Sequence, residues 1–445
     1  TLLGSDIYGE GAGDEFGQAV SISSDGTRVA IGAPFNNGNN AENSGHVRIY
    51  EYTSGVWKQL GSDIDGEAPD DQSGSAVSMS AKGTRVAIGA VQNDGISGID
   101  RGHVKIYEYE SSDKGWNLLG SAINGESSYD NFGHSVSLSA DGTTVAIGAI
   151  DNNDGGSRSG HVKVYKYPLA DGEWEQLGSV FEGEDELERM GFSVSISGDG
   201  KIIAIGSPKP TIGTTASRMG LVKVFEYFSS DDIWTQVGFQ IGGLAAGDQS
   251  GYSVSISADG TRVACGAIFN ENNGIGSGSV SVYGFGDTTP TTSPVLTYSP
   301  SVEPSYMPTW APSPTQSSTW SQFGSDLDGE AASDYSGRSV SMSSDGTRVA
   351  IGAPNNNGNG TGSWTGHVRV YAYTRFRGGN TFRWQQLGCD IDGEEYCNDS
   401  GSSVSMSSDG SRVAIGAPRK DDNAGHVRIF DYSSSGGWSQ VGSDI

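Results

Sequence analysis

The chain of 445 residues has few hydrophobic residues, few basic residues and few cysteines. Hydrophobic residues make up 34% of it, and 27 Lys and Arg stand against 54 Asp and Glu, which gives a formal net charge of −27. It has no apolar run long enough for a membrane span. Because an acidic surface repels phosphate backbones, we do not expect nucleic acid as a partner, although such a surface attracts cations.

Only three cysteines are present. Cys265 replaces Ile in a Val-Ala-Ile-Gly run, which indicates a buried small apolar residue. Cys389 and Cys397 flank one loop. We predict a disulfide between them, which would place the protein in an oxidising compartment, and two free thiols are the alternative.

Helical periodicity is also missing, and a short repeat takes its place. The segment Ser-Val-Ser-x-Ser-x-Asp-Gly-Thr-Arg-Val-Ala-Ile-Gly-Ala recurs seven times, intact or loosely, and Gly-His-Val-Arg-Ile-Tyr or a variant follows each copy. Asp-Gly between alternating runs predicts a two-residue type I′ hairpin turn with positive φ at both positions. The matching apolar residues of the seven copies are Val29, Val86, Val145, Ile203, Val263, Val349 and Val413.

Each repeat reads as four antiparallel strands, the last of which begins near a Trp-x-x-Leu-Gly segment. Seven such units predict an all-β fold, a seven-bladed β-propeller of four-stranded antiparallel blades. Ser, Ala and Gly fill the first two strands, as expected where blades converge on the axis. Tyr and Trp in the outer strands would fill the wider gaps between blades.

One spacing is long because residues 286–319, rich in Pro, Ser and Thr, interrupt the array. We therefore divide the chain into blades 1–5 (1–285), an insertion or linker (286–319), and blades 6–7 with a closing strand (320–445). The insertion is either a passive loop or a glycosylated tether. Both ends carry outer-strand sequences. We expect Leu2–Ile7 to complete the last blade and Trp438–Ile445 to be a spare edge for self-assembly.

The repeat resembles the FG-GAP repeat of integrin α-subunit propellers. The resemblance implies a seven-bladed propeller, an extracellular setting and a role in adhesion or ligand binding. The family's calcium loop between the first two strands is replaced by the tight Asp-Gly turn, so its calcium sites are not carried over. The residues that carry the resemblance are Phe16-Gly17, Gly32-Ala33-Pro34, Phe132-Gly133, Gly148-Ala149, Gly352-Ala353-Pro354 and Gly416-Ala417-Pro418.

Two polar patterns recur around the array. Gly-Glu-x-x-x-Asp precedes the first strand of several units, as at Glu10 and Asp14. Repeated turn carboxylates typically accept backbone N–H bonds, and cation binding is the alternative. His46, His103, His161, His367 and His426 begin third strands. We expect them to make structural hydrogen bonds, because equivalent positions of different blades lie too far apart to share one ion.

The loops between the second and third strands are rich in Asn, Asp and Gly. Among them, Asp151 and Asp154 are the best candidates for a weak calcium site, so Ca²⁺ is the one cofactor considered. Asn359 and Asn398 begin N-glycosylation acceptor patterns.

Together these features predict a secreted or cell-surface module for binding, adhesion or assembly, without catalysis, whose partner is a protein or a glycan. One alternative is a lectin that stacks sugars on its periodic tryptophans. The other is an enzyme with an axial site, which the uniform Ser-Val-Ser strands do not favour. The tryptophans are Trp57, Trp116, Trp174, Trp234, Trp320, Trp384 and Trp438.

Overall fold

The structure is a computed structural model. It describes residues 7–38, 41–95, 98–168, 172–208, 219–286, 319–358, 364–375, 381–394 and 397–441. Within these ranges the chain forms seven five-stranded antiparallel sheets, which are the blades.

The strands follow chain order within each blade. Blade 1 contains β2 (Ala19–Ile22), β3 (Arg28–Ala33), β4 (His46–Thr53), β5 (Val56–Gln59) and β6 (Ile64–Asp65). Blade 2 contains β7 (Ser73–Met79), β8 (Arg85–Ala90), β9 (His103–Glu110), β10 (Gly115–Leu118) and β11 (Ile123–Asn124). Blade 3 contains β12 (Phe132–Leu138), β13 (Thr144–Ala149), β14 (His161–Lys166), β15 (Glu175–Gln176) and β16 (Phe181–Glu182).

Blade 4 contains β17 (Ser193–Ile196), β18 (Ile202–Ser207), β19 (Leu221–Phe228), β20 (Ile233–Gln236) and β21 (Ile241–Gly242). Blade 5 contains β22 (Ser250–Ile256), β23 (Arg262–Ala267), β24 (Ser279–Phe285), β25 (Trp320–Gln322) and β26 (Leu327–Asp328). Blade 6 contains β27 (Ser339–Met342), β28 (Arg348–Ala353), β29 (His367–Arg375), β30 (Phe382–Gln386) and β31 (Ile391–Asp392).

Blade 7 contains β32 (Ser403–Met406), β33 (Arg412–Ala417), β34 (His426–Ser433), β35 (Gly437–Gln440) and the N-terminal β1 (Ile7–Tyr8). The turn α1 (Lys420–Asn423) is not a regular helix, because Asp421 and Asp422 have φ of 53° and 56°. The prediction of an all-β propeller with seven blades is confirmed. Each blade has a fifth strand in addition to the four that were predicted. It has two residues and pairs with the start of the third strand, whose other end pairs with the fourth strand.

The hairpin between the first two strands differs from the predicted type I′ turn. In blade 1, Ser23 N donates to Arg28 O over 2.9 Å and Gly26 N donates to Ser23 O over 2.8 Å, so the loop is longer than two residues. Gly26 has a φ of 70°, whereas Asp25 is not in the positive-φ region. The Asp25 carboxylate instead accepts bonds from Ser23 Oγ and from Thr27 N and Oγ1. The aspartate closes the loop with its side chain.

The last serine of each Ser-Val-Ser or Ala-Val-Ser segment joins its blade to the next. Ser21 Oγ accepts a bond of 2.9 Å from Met79 N of blade 2, and the same bond recurs at every joint. The last one runs from Ile22 N of blade 1 to Ser405 Oγ of blade 7 over 3.0 Å. These serines are therefore not only small enough for the crowded axis. Their hydroxyl groups also link the inner strands of neighbouring blades into a closed ring. The intermediate acceptors are Ser78, Ser137, Ser195, Ser255 and Ser341.

The periodic tryptophans form a second ring farther out. Each indole Nε1 donates to a backbone carbonyl of the preceding blade. Trp57, which is 1% exposed, donates to Val441 O of blade 7 over 3.1 Å. The prediction that these side chains fill the gaps between blades is confirmed, and the alternative of a lectin that stacks sugars on them is wrong. The other six bonds are made by Trp116, Trp174, Trp234, Trp320, Trp384 and Trp438.

Both ends of the described chain contribute to blade 7. Ile7 and Tyr8 pair with Val427 and His426, while β35 pairs with the outer half of β34. The idea that the C-terminal strand is spare is therefore wrong for 437–440, because that strand fills the outer position of the blade. Residues 1–6 and 442–445 lie outside the described residues, as do 287–318, which interrupt blade 5 between β24 and β25.

Candidate functional site

The joints between blades concentrate the charged groups of the repeat. After each short fifth strand the chain crosses to the next blade, and there the glutamate of Gly-Glu meets a basic side chain on the third strand. This ion pair occurs at six of the seven joints. The pairs are Glu10 with Arg48, Glu67 with Lys105, Glu126 with Lys163, Glu184 with Lys223, Glu330 with Arg369 and Glu394 with Arg428.

The aspartate of the same segment has a different role. Asp14 is 6% exposed, and its Oδ2 accepts bonds from Gly11 N over 2.9 Å and from Asn36 Nδ2 over 2.8 Å. Asp71 repeats this pattern with Ala68 N and Asn93 Nδ2. These carboxylates hold turns, as their repetition predicts.

The histidines that begin the third strands are buried. His46, His161 and His367 are each 1% exposed, and burial lowers the pKa of the last two to about 4. Among the described residues, neither ring nitrogen of His161 or His367 has a hydrogen-bond partner, nor has Nε2 of His46. The predicted structural hydrogen bonds are therefore not made by these nitrogens. Instead, Phe16 packs edge-on against His46, with ring centroids 6.5 Å apart.

In blade 1 the histidine and the ion pair come together with a second carboxylate. We call Glu10, His46, Arg48 and Asp63 the blade 1 cluster. Asp63 Oδ2 lies 3.9 Å from His46 Nδ1 and accepts bonds from Arg48 Nε over 3.2 Å and Nη2 over 3.0 Å. Arg48 also pairs with Glu10, so its guanidinium joins both carboxylates.

The electrostatics of this cluster keep His46 neutral. Burial and the neighbouring Arg48 lower the pKa of His46, although Asp63 and Glu10 oppose the shift. Burial raises the pKa of Asp65. Burial would also raise the pKa of Asp63, but hydrogen bonds from Arg48 and Gln59 outweigh it and lower the pKa of that carboxyl. At neutral pH a neutral imidazole therefore lies between ionised groups.

The blade 1 cluster opens onto a cleft of about 420 Å³ at the joint of blades 7 and 1. The cleft is polar, and a neutral imidazole and several carboxylates meet along its wall, while Arg48 bonds Glu10 and Asp63 without lining the cleft. A neutral imidazole beside carboxylates can activate a water molecule. Its lining includes Glu10, Asn36, Asn37, His46, Asp63 and Asp65.

Blade 6 repeats the same positions. We call Glu330, His367, Arg369 and Asp390 the blade 6 cluster. His367 Nδ1 lies 3.8 Å from Asp390 Oδ2 and 4.0 Å from Glu330 Oε2. Arg369 turns away from Asp390, since its Nη2 donates to Asp328 O over 2.7 Å and its Nη1 lies 3.5 Å from Glu330 Oε1.

Sequence reasoning missed Asp63 and Asp390, which follow the fourth strands. The sequence did contain a signal for these two clusters. Among the described residues, only the units of blade 1 and blade 6 contain both Gly-His-Val and Asp-Ile-Asp. Blades 2 and 3 have Ala122 and Val180 instead of the aspartate, and blade 5 has Ser279 instead of the histidine.

The predicted calcium residues lie elsewhere. Asp151 Oδ1 is 3.4 Å from Arg189 Nε and 3.9 Å from Arg158 Nε, and its Oδ2 accepts a bond from Asn131. The described residues contain two groups of three His, Cys, Asp or Glu side chains close enough to share an ion, and neither includes Asp151 or Asp154. The structure does not bring these two carboxylates together as a calcium site, because arginines already neutralise Asp151.

The remaining predicted residues have these positions. Cys389 and Cys397 are free, with Cys389 exposed, so the predicted disulfide is not formed in this structure, while Cys265 is buried as expected. Asn398 is 2% exposed and takes the place that Asp14 has in blade 1. Glycosylation there is not compatible with the fold, because a glycan would have no room. Asn359 lies outside the described residues.

Comparison with protein families identifies the repeat. The FG-GAP repeat model matches residues 9–50, 123–165 and 243–283, so the chain contains FG-GAP repeats, and this prediction is confirmed. A search of curated protein sequences finds no match.

Solved structures are similar over nearly the whole chain. A protein from Bacteroides uniformis named as a 6-phosphogluconolactonase has a TM-score of 0.54 at 13% identity, covering 94% of this chain and 96% of its own. The periplasmic gluconolactonase of Pseudomonas aeruginosa has a TM-score of 0.54 at 12% identity, covering 93% and 94%. A protein from Bacteroides fragilis, also named as a 6-phosphogluconolactonase, has a TM-score of 0.52 at 12% identity, covering 94% of both chains.

Likeness at this identity shows the fold alone, but the names of the similar structures contradict two of our predictions. We predicted a non-catalytic module for adhesion or assembly, with a lectin as the alternative, and no enzymatic activity. Both predictions are wrong, because the similar structures are named as lactonases and a propeller of this shape therefore serves as an enzyme scaffold. In the described residues, no helix has the length and apolarity needed to cross a membrane.

Proposed function

We propose that this protein hydrolyses small cyclic esters, lactones, in the cleft beside the blade 1 cluster. One observation carries the proposal: a buried, neutral His46 lies on the wall of a polar cleft of about 420 Å³, with its Nδ1 3.9 Å from Asp63 Oδ2. The names of the similar structures support the choice of lactones among the esters.

The chemistry assigns a role to each side chain. His46 Nδ1 takes a proton from a water molecule held at the carboxylates, and the hydroxide oxygen adds to the lactone carbonyl carbon. Arg48 bonds Glu10 and Asp63 and so holds these two carboxylates in place beside the imidazole. When the tetrahedral intermediate collapses, the ring C–O bond breaks and the alkoxide leaving group takes the proton from the His46 imidazolium. The product is the open-chain hydroxy acid.

The lining of the cleft favours an uncharged substrate. Glu10, Asp63 and Asp65 surround the imidazole, and Arg48, the one cation of the cluster, is already paired with two carboxylates. A phosphorylated sugar lactone would bring two further negative charges to this wall. We therefore propose an unphosphorylated, polyhydroxylated lactone, whose hydroxyl groups donate to the carboxylates and to Asn36 and Asn37.

Titration of acid release at constant pH tests the proposal, with spontaneous hydrolysis subtracted. We expect hydrolysis of gluconolactone to exceed that of 6-phosphogluconolactone. His46→Gln should lower kcat/KM by about 100-fold or more. The matched control is His103→Gln, because His103 begins the same strand in blade 2, where Ala122 replaces the aspartate. Equal activity of His46→Gln and His103→Gln, or no rate above the spontaneous one, would refute the proposal.

We also propose that the protein works outside the cytoplasm. The acidic composition and the periplasmic location named for one similar structure support this. Fractionation of the native organism, with detection of this chain by antibody, tests it, and recovery with the cytoplasmic proteins would contradict it.

A further inference from the structure

We propose that Glu330, His367 and Asp390 bind one divalent transition-metal cation of the zinc class at the joint of blades 5 and 6. This site is distinct from the proposed hydrolytic cleft, which lies at the joint of blades 7 and 1. The proposed metal site also differs from a calcium loop between the first two strands of a blade. It lies between the third strand of blade 6 and the crossover that leads from blade 5 into blade 6.

The first argument is the donor set. One imidazole nitrogen and two carboxylate oxygens suit Zn²⁺ and its neighbours in the first transition series, whereas calcium prefers oxygen ligands alone. The ligand atoms of these three side chains lie within 4.8 Å of one another. The acidic overall charge of −27 also favours cation binding.

The second argument is distance. His367 Nδ1 is 3.8 Å from Asp390 Oδ2 and 4.0 Å from Glu330 Oε2. These separations are too long for hydrogen bonds. Around a tetrahedral ion, two metal–ligand bonds of about 2.0 to 2.2 Å place their ligand atoms about 3.3 to 3.6 Å apart, so each carboxylate reaches a shared ion after a movement of a few tenths of an ångström. Glu330, whose side chain is 47% exposed, has the freedom to close on the ion.

The third argument is the buried imidazole. His367 is 1% exposed, and neither of its nitrogens has a hydrogen-bond partner among the described residues. Leaving such a group unpaired costs free energy, and binding a cation at Nδ1 removes that cost. Nδ1 points at the two carboxylates, so the unpaired donor-acceptor atom and the negative charges share one small volume.

The fourth argument is the position of arginine. In the blade 1 cluster, Arg48 bonds both carboxylates and takes the place of a cation. In the blade 6 cluster, Arg369 bonds the backbone of Asp328 and approaches only Oε1 of Glu330. Glu330 Oε2 and Asp390 Oδ2 therefore face His367 free of the guanidinium. Asp390 Oδ1 is held by Gln386 Nε2 over 2.6 Å, which fixes the orientation of the carboxylate.

Metal titration of the whole chain tests the proposal. Exposed thiols also bind zinc, so the reference protein carries Cys389→Ser and Cys397→Ser, and it is dialysed against a chelator before use. We expect calorimetry with Zn²⁺ to give one ion per chain, and Co²⁺ to give visible absorption bands that Zn²⁺ abolishes. Asp390→Asn should weaken Zn²⁺ binding by at least tenfold, and Glu330→Gln should do the same.

The matched control is Asp63→Asn, which alters the equivalent carboxylate of the blade 1 cluster and should leave zinc affinity unchanged. His367→Gln is a further variant, and its fold is checked by circular dichroism because the side chain is buried. A stoichiometry of zero in the reference protein would overturn the proposal. Equal zinc affinities of the reference protein, Asp390→Asn and Glu330→Gln would overturn it as well. Neither readout depends on catalysis, so failure of the hydrolytic proposal leaves this one standing.

Discussion

The blade 1 and blade 6 clusters are built from the same four repeat positions, yet their arginines differ in partner. Arg48 bonds Asp63 and Glu10 and so occupies the space between the carboxylates. Arg369 bonds the Asp328 carbonyl and leaves Asp390 to face His367. The two clusters thus differ mainly in the orientation of one guanidinium group. We propose acid–base chemistry for the cluster in which arginine bonds both carboxylates and metal binding for the other. The two units therefore differ in the partners of one side chain, although their strands have the same order and pairing.

The largest expected effect comes from removing Arg48. Arg48→Met should lower kcat/KM for gluconolactone by about 100-fold, because Glu10 and Asp63 lose the guanidinium that positions them beside His46. It should also expose Glu10, His46 and Asp63 to a cation, so calorimetry should find a second Zn²⁺ per chain. Arg369→Met is the matched control, for which we expect unchanged hydrolysis. An active Arg48→Met variant would break the contrast between the clusters.

The pH dependence of hydrolysis is the next largest effect. The pKa of His46 is held below its usual 6.5 by burial and by Arg48, so the base form persists at neutral pH. Below its pKa, kcat/KM should fall about tenfold per pH unit, because the protonated imidazole cannot accept a proton. Asp63 raises the pKa of His46. Asp63→Asn should therefore move the acid limb to lower pH, and a shift to higher pH would contradict this assignment.

The free energy of unfolding at acid pH should depend on the buried histidines. His103, His161 and His367 have a pKa of about 4 in the folded protein, against about 6.5 when unfolded. Between these values the unfolded chain binds more protons, so stability falls as the pH is lowered from about 6.5 to about 4. Each histidine contributes about 1.4 kcal/mol per pH unit.

Urea unfolding at several pH values measures this effect. His161→Gln should remove the contribution of one histidine and so flatten the dependence of the unfolding free energy on pH. An unchanged slope in His161→Gln would show that this imidazole is not kept neutral by the fold.

Chelation should have the smallest effect. Removal of metal from the wild-type protein should lower its melting temperature by a few degrees, because a ligand that binds only the native state stabilises it. Hydrolysis should stay within about twofold, since the blade 1 cluster holds a guanidinium between its carboxylates. Loss of hydrolysis on chelation, restored by Zn²⁺, would show that the two clusters do not work separately.

The repeat alone predicted the strand order, the seven blades and the packing of tryptophans between them. It could do so because each unit carries the same alternating pattern and the same turn residues. The hydrogen bond from each Trp Nε1 to a neighbouring carbonyl was not predictable, since it depends on the angle between blades. The fifth strand was also missed, because two residues such as Ile64-Asp65 are too few to show alternation.

The sites were much less predictable than the fold. Glu10 and His46 were recognised as repeated residues and assigned structural roles, while Asp63 was not considered. Their meeting depends on the crossover from one blade to the next, which places residues from the end of one unit beside the third strand of the following one. Asp151 and Asp154 had the right composition for an ion, but Arg158 of the same loop and Arg189 of the following crossover both approach Asp151.

The closure of blade 7 has a consequence for synthesis on the ribosome. Trp57 Nε1 bonds Val441 O across 384 residues, and Ile22 N bonds Ser405 Oγ across 383. Blade 1 therefore emerges long before the partners that complete its joint. A nascent chain of six finished blades would be an arc with two uncovered faces, exposed to aggregation until the final strands leave the exit tunnel. Translation through the last blade, and the speed at which the arc closes afterwards, should govern the yield of native protein.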